Sequence, residues 1–294
     1  MKIFITGSNG LLGQKLVDFC LLNSIDFIAT SKGENRNSKC PSKNYQVLDI
    51  TSENNVLSLI EVEKPTHIIH TAAITNVDFC ELNSEEAYLV NVKATEYLIN
   101  ASNSVKAHFQ FVSTDFVFDG EKGAYSEEDE VNPLSVYAQN KVDGERLTTA
   151  KTLFGWSIIR TIIVYGVGEN LSRSNLIMWA KGAIEKGEAI NIIDDQFRAP
   201  TYADDLAVGC MGVILNDENG VFHISGPETM SIYHIVERIA AHFNYSMENV
   251  SRISSSTLNQ PAHRPPRTGF DLSKAYSRIN YNPRTLEETL DLLY

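Results

Sequence analysis

A tyrosine and a lysine four residues apart form the clearest catalytic pair in this sequence. Tyr137 and Lys141 stand in a stretch with a helical pattern, residues 136–149, and Pro133 lies just upstream. Side chains four positions apart share one face of a helix, so the phenol and the ammonium group would point the same way. A lysine charge lowers the pKa of a nearby phenol from about 10, which makes it a better general acid–base. An ordinary amphipathic helix produces the same spacing, and this structural alternative stays open.

A second polar group follows a predicted strand. Residues 109–112 form a mostly apolar run that leads into Ser113, Thr114 and Asp115. Hydroxyl groups at this place can donate hydrogen bonds to a substrate carbonyl and to the alkoxide that forms when a hydride arrives. The same residue types also cap strands and stabilise turns. Asn91 falls within a predicted helix, where a solvated surface position is the simplest interpretation.

Three glycines punctuate the first turn of the chain. An apolar strand at 3–6 runs into Gly7, Gly10 and Gly13, and a helical pattern covers 11–22. Glycines at this spacing let the backbone turn tightly, approach a pyrophosphate and pack the helix close to the strand. The phosphates would accept hydrogen bonds from free N–H groups at the helix N-terminus. A tight turn with no ligand is the alternative.

These groups lie on elements that alternate regularly through the first half of the chain. Helical patterns separate short apolar runs, which predicts βαβ units and a parallel sheet covered on both faces. Ligands of such sheets bind beyond the carboxyl ends of the strands. The predicted strands are 3–6, 27–30, 45–48, 67–70, 109–112 and 157–160, and the predicted helices are 11–22, 54–63, 85–102 and 136–149.

The second half of the chain is less regular. Helical patterns and strands continue to the C-terminus, but without the steady alternation. We therefore predict an α/β fold with a doubly wound Rossmann-type parallel sheet and a smaller, interleaved C-terminal substrate lobe. Residues 1–160 are assigned to a dinucleotide-binding domain with a return segment near 200–224, and residues 161–294 mostly to the substrate-binding lobe. The later predicted helices are 176–186, 203–215 and 231–243, and the later strands are 189–193 and 221–224.

Bulk properties exclude several kinds of partner. The net charge of −12 argues against a nucleic-acid-binding or anionic-membrane surface. Four scattered cysteines show no metal-ligand spacing, and neither do His223, His234 and His263, so no metal site is predicted. The cysteines are expected to be reduced and mostly buried. No apolar run approaches 18 residues, and the chain opens with a strand rather than a signal peptide. A cytoplasmic location is expected.

Four segments carry a resemblance to a known family: residues 70–78, 113–120, 132–137 and 195–201. With the glycine turn, they resemble the extended short-chain dehydrogenase/reductases, and more narrowly the dTDP-4-dehydrorhamnose reductase family, over nearly the whole chain. The resemblance implies that Tyr137 gives a proton to the keto oxygen at C4 of a nucleotide sugar, while a nicotinamide delivers hydride to that carbon. It also implies that Lys141 orients the cofactor ribose and tunes Tyr137, and that Thr114 and Asp115 line the sugar site.

The same resemblance assigns the cofactor contacts. They are Gly7, Asn9, Gly10, Leu11, Leu12, Gly13, Asp49, Ile50, Thr71, Ala72 and Ala73, together with Tyr137 and Lys141. NAD-specific proteins place an acidic residue after the second strand, where it binds the ribose 2′-hydroxyl. Here Ser31 and Lys32 end that strand, Arg36 lies close by, and the first carboxylate is Glu34. Ser31 and Arg36 suit a 2′-phosphate, so NADP is favoured over NAD; if the basic residues are merely solvated, both would bind.

Two positions depart from the family pattern. Ile163 stands where the family usually has a substrate-contacting tryptophan, so the sugar pocket is expected to differ. Arg198 replaces a small residue and is predicted to bind the substrate by pairing with a diphosphate, with a surface charge as the alternative. Arg173, Arg264 and Arg267 are further candidates of the same kind, and a surface role is equally compatible with each.

The leading functional prediction is an NADPH-dependent reductase of a 4-keto nucleotide sugar, with conversion of dTDP-4-dehydro-L-rhamnose to dTDP-L-rhamnose as the implied reaction. Phe116 occupies the position where dehydratases of the superfamily carry glutamate, which argues against dehydration. A nucleotide-sugar epimerase remains an alternative. So does a non-catalytic NADP-binding protein like the regulatory subunit of methionine adenosyltransferase, which resembles this family and also lacks the tryptophan. A homodimer is compatible with either class.

Overall fold

The architecture comes from a computed structural model, which describes residues 1–172 and 174–293. The elements in chain order are β1 (Lys2–Thr6), α1 (Leu11–Leu22), β2 (Asp26–Ser31), β3 (Tyr45–Val47), α2 (Glu53–Glu63), β4 (His67–His70), α3 (Val77–Leu82), α4 (Ser84–Tyr88), α5 (Ala94–Ser104), β5 (His108–Thr114), α6 (Val136–Lys151), β6 (Trp156–Thr161), β7 (Val164–Tyr165), α7 (Leu176–Glu185), β8 (Ile190–Ile193), β9 (Phe197–Arg198), β10 (Thr201–Tyr202), α8 (Ala203–Leu215), β11 (Gly220–His223), β12 (Met230–Ser231), α9 (Ile232–Phe243), β13 (Val250–Ile253), α10 (Ser273–Ile279) and α11 (Leu286–Leu290).

A seven-stranded parallel sheet forms the centre of the molecule. Its strand order is β11-β6-β5-β4-β1-β2-β3, so the order reverses beside β1. Ile3 and Ile5 pack into a cluster with Met211 of α8, whereas Phe4 packs into a cluster with Leu98 of α5 on the other face. Both faces of the sheet are therefore covered by helices, which is why its strands are continuous apolar runs. The prediction of a doubly wound Rossmann-type fold is confirmed.

A smaller group of elements has a core of its own. Helices α7, α9 and α11 contribute to one cluster of buried side chains, which Tyr165, Ile192 and Val250 join from short strands. β8 pairs in parallel with β13 outside the central sheet. The chain returns to the large sheet in between, since β11 pairs with β6 and α8 packs on α1. The assignment of separate binding roles to these regions stays a prediction.

Some elements differ from the sequence prediction. The helix predicted at 85–102 is α4, a five-residue π-helical segment at Leu89–Lys93, and α5. The helix α3 and several two-residue strands were not predicted, because such short segments carry too little periodicity to stand out. The Asn76 side chain caps α3 by accepting a hydrogen bond from the Phe79 N–H group at 3.1 Å. No helix among the described residues is long and apolar enough to cross a membrane.

The first turn depends on glycine at two places. Gly7 has φ of +69°, a conformation that glycine adopts without steric cost, and a Cβ atom there would lie 2.7 Å from the Ala72 nitrogen. At Gly13, a Cβ atom would lie 2.3 Å from the Gly7 carbonyl oxygen. Helix α1 can therefore begin directly against the end of β1 only because both positions lack a side chain.

Gly13→Ala should destabilise the fold, because the added methyl group overlaps with rigid backbone. We expect a loss of about 1–3 kcal/mol in the free energy of unfolding, measured by urea denaturation. Gly182→Ala is the matched control: it lies inside α7 with nothing within 4 Å of its Cβ position. That change should raise stability by about 0.5–1 kcal/mol through helix propensity. Equal effects of the two changes would contradict the packing argument.

Candidate active site

A cavity of about 590 Å³ opens beyond the carboxyl ends of β1, β4 and β5. This is the place where the strand order reverses, and where doubly wound sheets bind their ligands. Most of the predicted site residues line it: Gly7, Asn9, Gly10, Leu11, Leu12, Gly13, Thr71, Ala73, Thr114, Asp115, Tyr137 and Lys141. Ser31, Arg36, Asp49, Ile50, Ala72 and Arg198 are not among its lining residues. The structure thus brings the glycine turn, the strand-end hydroxyls and the Tyr–Lys pair to one cavity.

The start of α1 suits a diphosphate. Gly10 is the N-cap, its N–H donates to the Gly7 carbonyl oxygen at 2.9 Å, and the first turn of α1 contains no acidic residue. The positive end of the helix dipole therefore faces the cavity uncompensated. A Cβ atom at Gly10 would come within 3.2 Å of the Gly7 carbonyl oxygen. This backbone cradle fits the pyrophosphate of a dinucleotide cofactor.

The wall formed after β4 is held by buried polar contacts. Thr71 Oγ1 donates to the Thr6 carbonyl oxygen at 2.7 Å, and Thr6 Oγ1 lies 2.8 Å from Nδ1 of His70. Burial lowers the pKa of His70 to about 3, with the Lys141 charge adding to the shift, so His70 is neutral. These contacts fix the backbone of the small residues 71–73, which leaves room for a flat ligand.

Asn91 is not the surface residue that its helical context suggested. Only 1% of it is exposed, and its side-chain amide bonds both the N–H (2.8 Å) and the carbonyl oxygen (2.9 Å) of Ile74. Asn91 lies in the π-helical segment Leu89–Lys93. π-Helical turns within α-helices are frequent at functional sites. The only sequence signal was an asparagine in an otherwise helical run, which is too weak to identify the contact.

Tyr137 and Lys141 both project from the first turns of α6. Ser135 caps this helix by accepting a hydrogen bond from the Ala138 N–H group. Tyr137 is 8% exposed and Lys141 is 4% exposed, and both line the cavity. The Lys141 ammonium group donates to the Val112 carbonyl oxygen at 2.7 Å. Burial lowers the pKa of Lys141 to about 8, and the Glu145 carboxylate opposes that shift.

The residues after β5 form a buried polar chain. Thr114 Oγ1 donates to Asp115 at 3.0 Å, and the Thr268 hydroxyl donates to the other Asp115 oxygen. Burial raises the pKa of Asp115, and the Arg198 guanidinium, with Nε at 3.6 Å, opposes the shift. Ser113 lines the cavity, and its Oγ is buried with no hydrogen-bond partner in the part of the chain that the structure describes.

Arg198 lies behind this chain of residues, not at the protein surface. It is 2% exposed, and its guanidinium donates to the carbonyl oxygens of Phe197 (2.7 Å), Pro265 (2.6 Å) and Pro266 (3.3 Å). The alternative of a surface charge is therefore wrong. These contacts hold the segment at 265–266 against Asp115, so any influence of Arg198 on the substrate would pass through those groups.

The other arginines have distinct environments. Arg264 forms a two-pronged ion pair with Asp78, at 2.7 and 3.1 Å. Arg267 lies over the ring of Phe197, 4.3 Å from its centroid. Arg173 lies outside the described residues.

Ile163, the residue in place of the family tryptophan, lines the cavity. Its φ of +30° is rare for a β-branched residue. The neighbouring pairing of β7 with β10 holds it there, and the Thr201 N–H donates to its carbonyl oxygen at 3.0 Å. Such strained positions cluster at ligand sites.

The predicted cofactor residues after β2 and β3 lie outside the set of residues that line the cavity. Ser31 ends β2, and its hydroxyl accepts a hydrogen bond from the Asn9 N–H group at 3.0 Å. Asp49 forms an ion pair with Lys32 at 2.9 Å. Hydrogen bonds from Thr51 and this lysine lower the pKa of Asp49 to about 2. Ile50 is buried in the adjacent core.

These features define a class: a dinucleotide-binding oxidoreductase of the short-chain type. Its marks are the glycine cradle at α1, the hydroxyls after β5 and the Tyr–Lys pair on α6. The family model described as RmlD substrate binding domain matches residues 1–294, and the chain belongs to this family.

Comparisons with individual proteins agree with this family assignment. The chain is 31% identical to dTDP-4-dehydrorhamnose reductase of Aggregatibacter actinomycetemcomitans, over 98% of this chain and 97% of that protein. It is 27% identical to a dTDP-4-dehydrorhamnose reductase from Bacillus anthracis solved in complex with NADP, with a TM-score of 0.84 over 99% of this chain and 96% of that one. It is also 31% identical to methionine adenosyltransferase 2 subunit beta of Xenopus laevis, over 93% of this chain and 81% of that protein. The predicted family is confirmed. The prediction of NADP as cofactor, with NAD possible, agrees with the NADP complex of the Bacillus anthracis protein.

The buried charge of Lys141 gives a pH-dependent stability prediction. Its pKa of about 8 in the folded protein lies below the ordinary lysine value of about 10.4. Between these values the unfolded chain binds more protons, so the contribution of Lys141 to stability becomes more favourable as pH rises. Lys141→Met should therefore stabilise the protein at pH 7 by on the order of 1 kcal/mol, and this gain should shrink toward pH 10.

Urea denaturation at both pH values measures this difference. Lys186→Met is the control, because that ammonium group is largely exposed. A Lys141→Met protein that is less stable than the parent at pH 7 would contradict the prediction.

Proposed function

We propose that this protein is an NADPH-dependent reductase of a 4-keto nucleotide sugar, with dTDP-4-dehydro-L-rhamnose as substrate and dTDP-L-rhamnose as product. The observation that carries the proposal is the meeting of Thr114, Tyr137 and Lys141 in one cavity with the glycine cradle at α1. The relatives named as dTDP-4-dehydrorhamnose reductases supply the substrate.

The cofactor would lie along the carboxyl edge of the sheet. Its pyrophosphate would sit on the backbone of Gly10 to Gly13, while residues 71–73 would flank the path toward Tyr137. Ser31 and Arg36 would meet the adenosine ribose, and Asp49 and Ile50 the base. When bound, NADPH supplies a hydride to the carbon of a substrate carbonyl. Every other step falls to side chains of this chain.

Tyr137 is proposed as the proton donor to the C4 keto oxygen. Its position on the cavity wall puts the phenol where a carbonyl can reach it, and the Lys141 charge on the same helix face stabilises the phenolate left after transfer. An ammonium group has three donors, and Val112 uses one of them. No hydrogen bond of the other two donors is found within residues 1–172 and 174–293, and we propose that they orient the hydroxyls of the cofactor ribose.

Thr114 and Asp115 are proposed to line the sugar site. The Thr114 hydroxyl would donate to the developing alkoxide once it leaves its contact with Asp115. Arg198 is proposed to contribute to substrate binding by holding Asp115 and the segment at 265–266. We also propose that residues 161–294 mostly form the substrate-binding lobe, that the protein is a homodimer, and that it is cytoplasmic. Its four buried cysteines favour a reducing compartment.

Tyr137→Phe should lower kcat by a factor of about 10²–10⁴, because the phenylalanine ring cannot donate a proton. NADPH binding, followed by fluorescence of the reduced nicotinamide, should stay within twofold. Tyr276→Phe is the matched control on an exposed part of α10. A Tyr137→Phe enzyme that keeps more than about a tenth of kcat would exclude Tyr137 as the donor.

A second candidate function is a non-catalytic regulatory subunit. Ile163 in place of the tryptophan and the similarity to methionine adenosyltransferase 2 subunit beta favour it. Incubation with NADPH and the keto sugar distinguishes three hypotheses: a reductase, a nucleotide-sugar epimerase and a regulatory subunit. A reductase consumes one NADPH per sugar, whereas an epimerase changes the sugar with no net consumption. A regulatory subunit does neither, and instead binds a methionine adenosyltransferase catalytic subunit in a pull-down.

A further inference from the structure

The loop after β2 is wrapped around one side chain. The Asn9 amide donates to the Glu34 carbonyl oxygen at 2.8 Å and accepts from the Arg36 N–H at 2.9 Å. The Asn9 backbone N–H donates to Ser31 Oγ. Residues 31–36, which we name the ribose turn, are therefore held in a single backbone path next to the glycine cradle.

Tyr45 holds the same turn from the other side. This residue begins β3, and its phenol donates to the Gly33 carbonyl oxygen at 2.7 Å and accepts from the Asn9 amide at 3.3 Å. Gly33 has φ of +92°, a conformation that glycine adopts without steric cost, and there is open space within 4 Å of its Cβ position. Burial raises the pKa of Tyr45, and the phenol therefore remains a hydrogen-bond donor at neutral pH.

The ribose turn presents groups that suit a phosphate. Ser31 Oγ accepts from Asn9, which leaves its own proton free to donate to an anion. The Arg36 guanidinium forms no ion pair with any residue in 1–172 or 174–293, whereas Lys32 is paired with Asp49. A guanidinium without an ion pair and a hydroxyl at the end of the second strand suit the 2′-phosphate of NADPH. NADH lacks this phosphate and would not engage them.

The far end of this loop has separate anchors. Glu169 accepts hydrogen bonds from the Ser38 N–H (2.7 Å) and hydroxyl (2.8 Å), and the Asn170 amide donates to the Arg36 carbonyl oxygen at 3.3 Å. Loss of the Tyr45 phenol would therefore loosen the path around Gly33 without releasing the whole loop.

We propose that Tyr45 is a positioning residue that sets the preference for NADPH over NADH, by holding the ribose turn in the shape that aims Ser31 and Arg36 at the 2′-phosphate. This proposal rests on the proposed function, because it requires that the protein binds NADP. A turn that is already ordered loses less conformational freedom when the phosphate binds. The rest of the dinucleotide would contact other elements, so the effect of Tyr45 should fall mainly on the 2′-phosphate.

Tyr45→Phe removes only the hydroxyl group, and calorimetric titration with two probes isolates its effect. Binding of adenosine 2′,5′-bisphosphate should weaken about fivefold, as expected for one lost hydrogen bond. Binding of 5′-AMP, which lacks the 2′-phosphate, should stay within twofold. NADPH and NADH should show the same contrast, and Tyr276→Phe should change neither.

A double-mutant cycle with Arg36→Gln tests the route of the effect. If Tyr45 acts by positioning Arg36, then Tyr45→Phe should have little further effect on the bisphosphate once Arg36 is replaced. Four outcomes would each overturn the proposal. Tyr45→Phe could weaken the binding of both probes equally, or weaken the binding of neither. The two substitutions could have additive effects, or the parent protein could show no preference for the bisphosphate. These titrations use no sugar substrate. A protein that binds both probes as expected but does not reduce the keto sugar in a separate activity assay would therefore refute the proposed function alone.

Discussion

The buried ammonium group of Lys141 is the constraint on which the site depends. A charge with 4% exposure is unfavourable unless surrounding groups compensate it. The Val112 carbonyl oxygen accepts its hydrogen bond, the Phe111 ring lies 4.5 Å below it, and Glu145 stands one turn along α6. Glu145 is itself held by a buried two-pronged pair with Arg160 of β6, at 2.7 and 2.9 Å. Helix α6 is thereby tied to two strands of the sheet by charge as well as by packing.

The other side of the site is built from the second half of the chain. Arg198 and Thr268 both reach Asp115 at the end of β5, and Arg264 pairs with Asp78 at the start of α3. Each contact joins a residue after position 190 to one before position 120. This side of the cavity therefore forms only when the C-terminal segment has docked. Buried ion pairs of this kind specify geometry more than they stabilise it.

Much of the fold followed from local pattern. The periodicity around β1, α1, β4 and α6 is strong, so their positions were predicted within a few residues, and the glycine spacing indicated the cradle because steric exclusion acts locally. Asn91 and Arg198 could not be placed in the same way. Their partners, Ile74 and Asp115, lie 17 and 83 positions away, and nothing in the neighbouring residues distinguishes an exposed polar side chain from a buried one.

The sequence by itself determined the class of the protein: a parallel α/β sheet with a phosphate cradle, and a phenol and an ammonium group on one helix face. These are properties of backbone sterics and helical periodicity, which act over a few residues. Only the tertiary structure decided the environment of those groups, namely that Lys141 is desolvated, that Arg198 is locked behind Asp115, and that Tyr45 supports the turn beside Asn9. Burial and charge pairing depend on residues distant in the chain, and therefore on how the chain as a whole is packed.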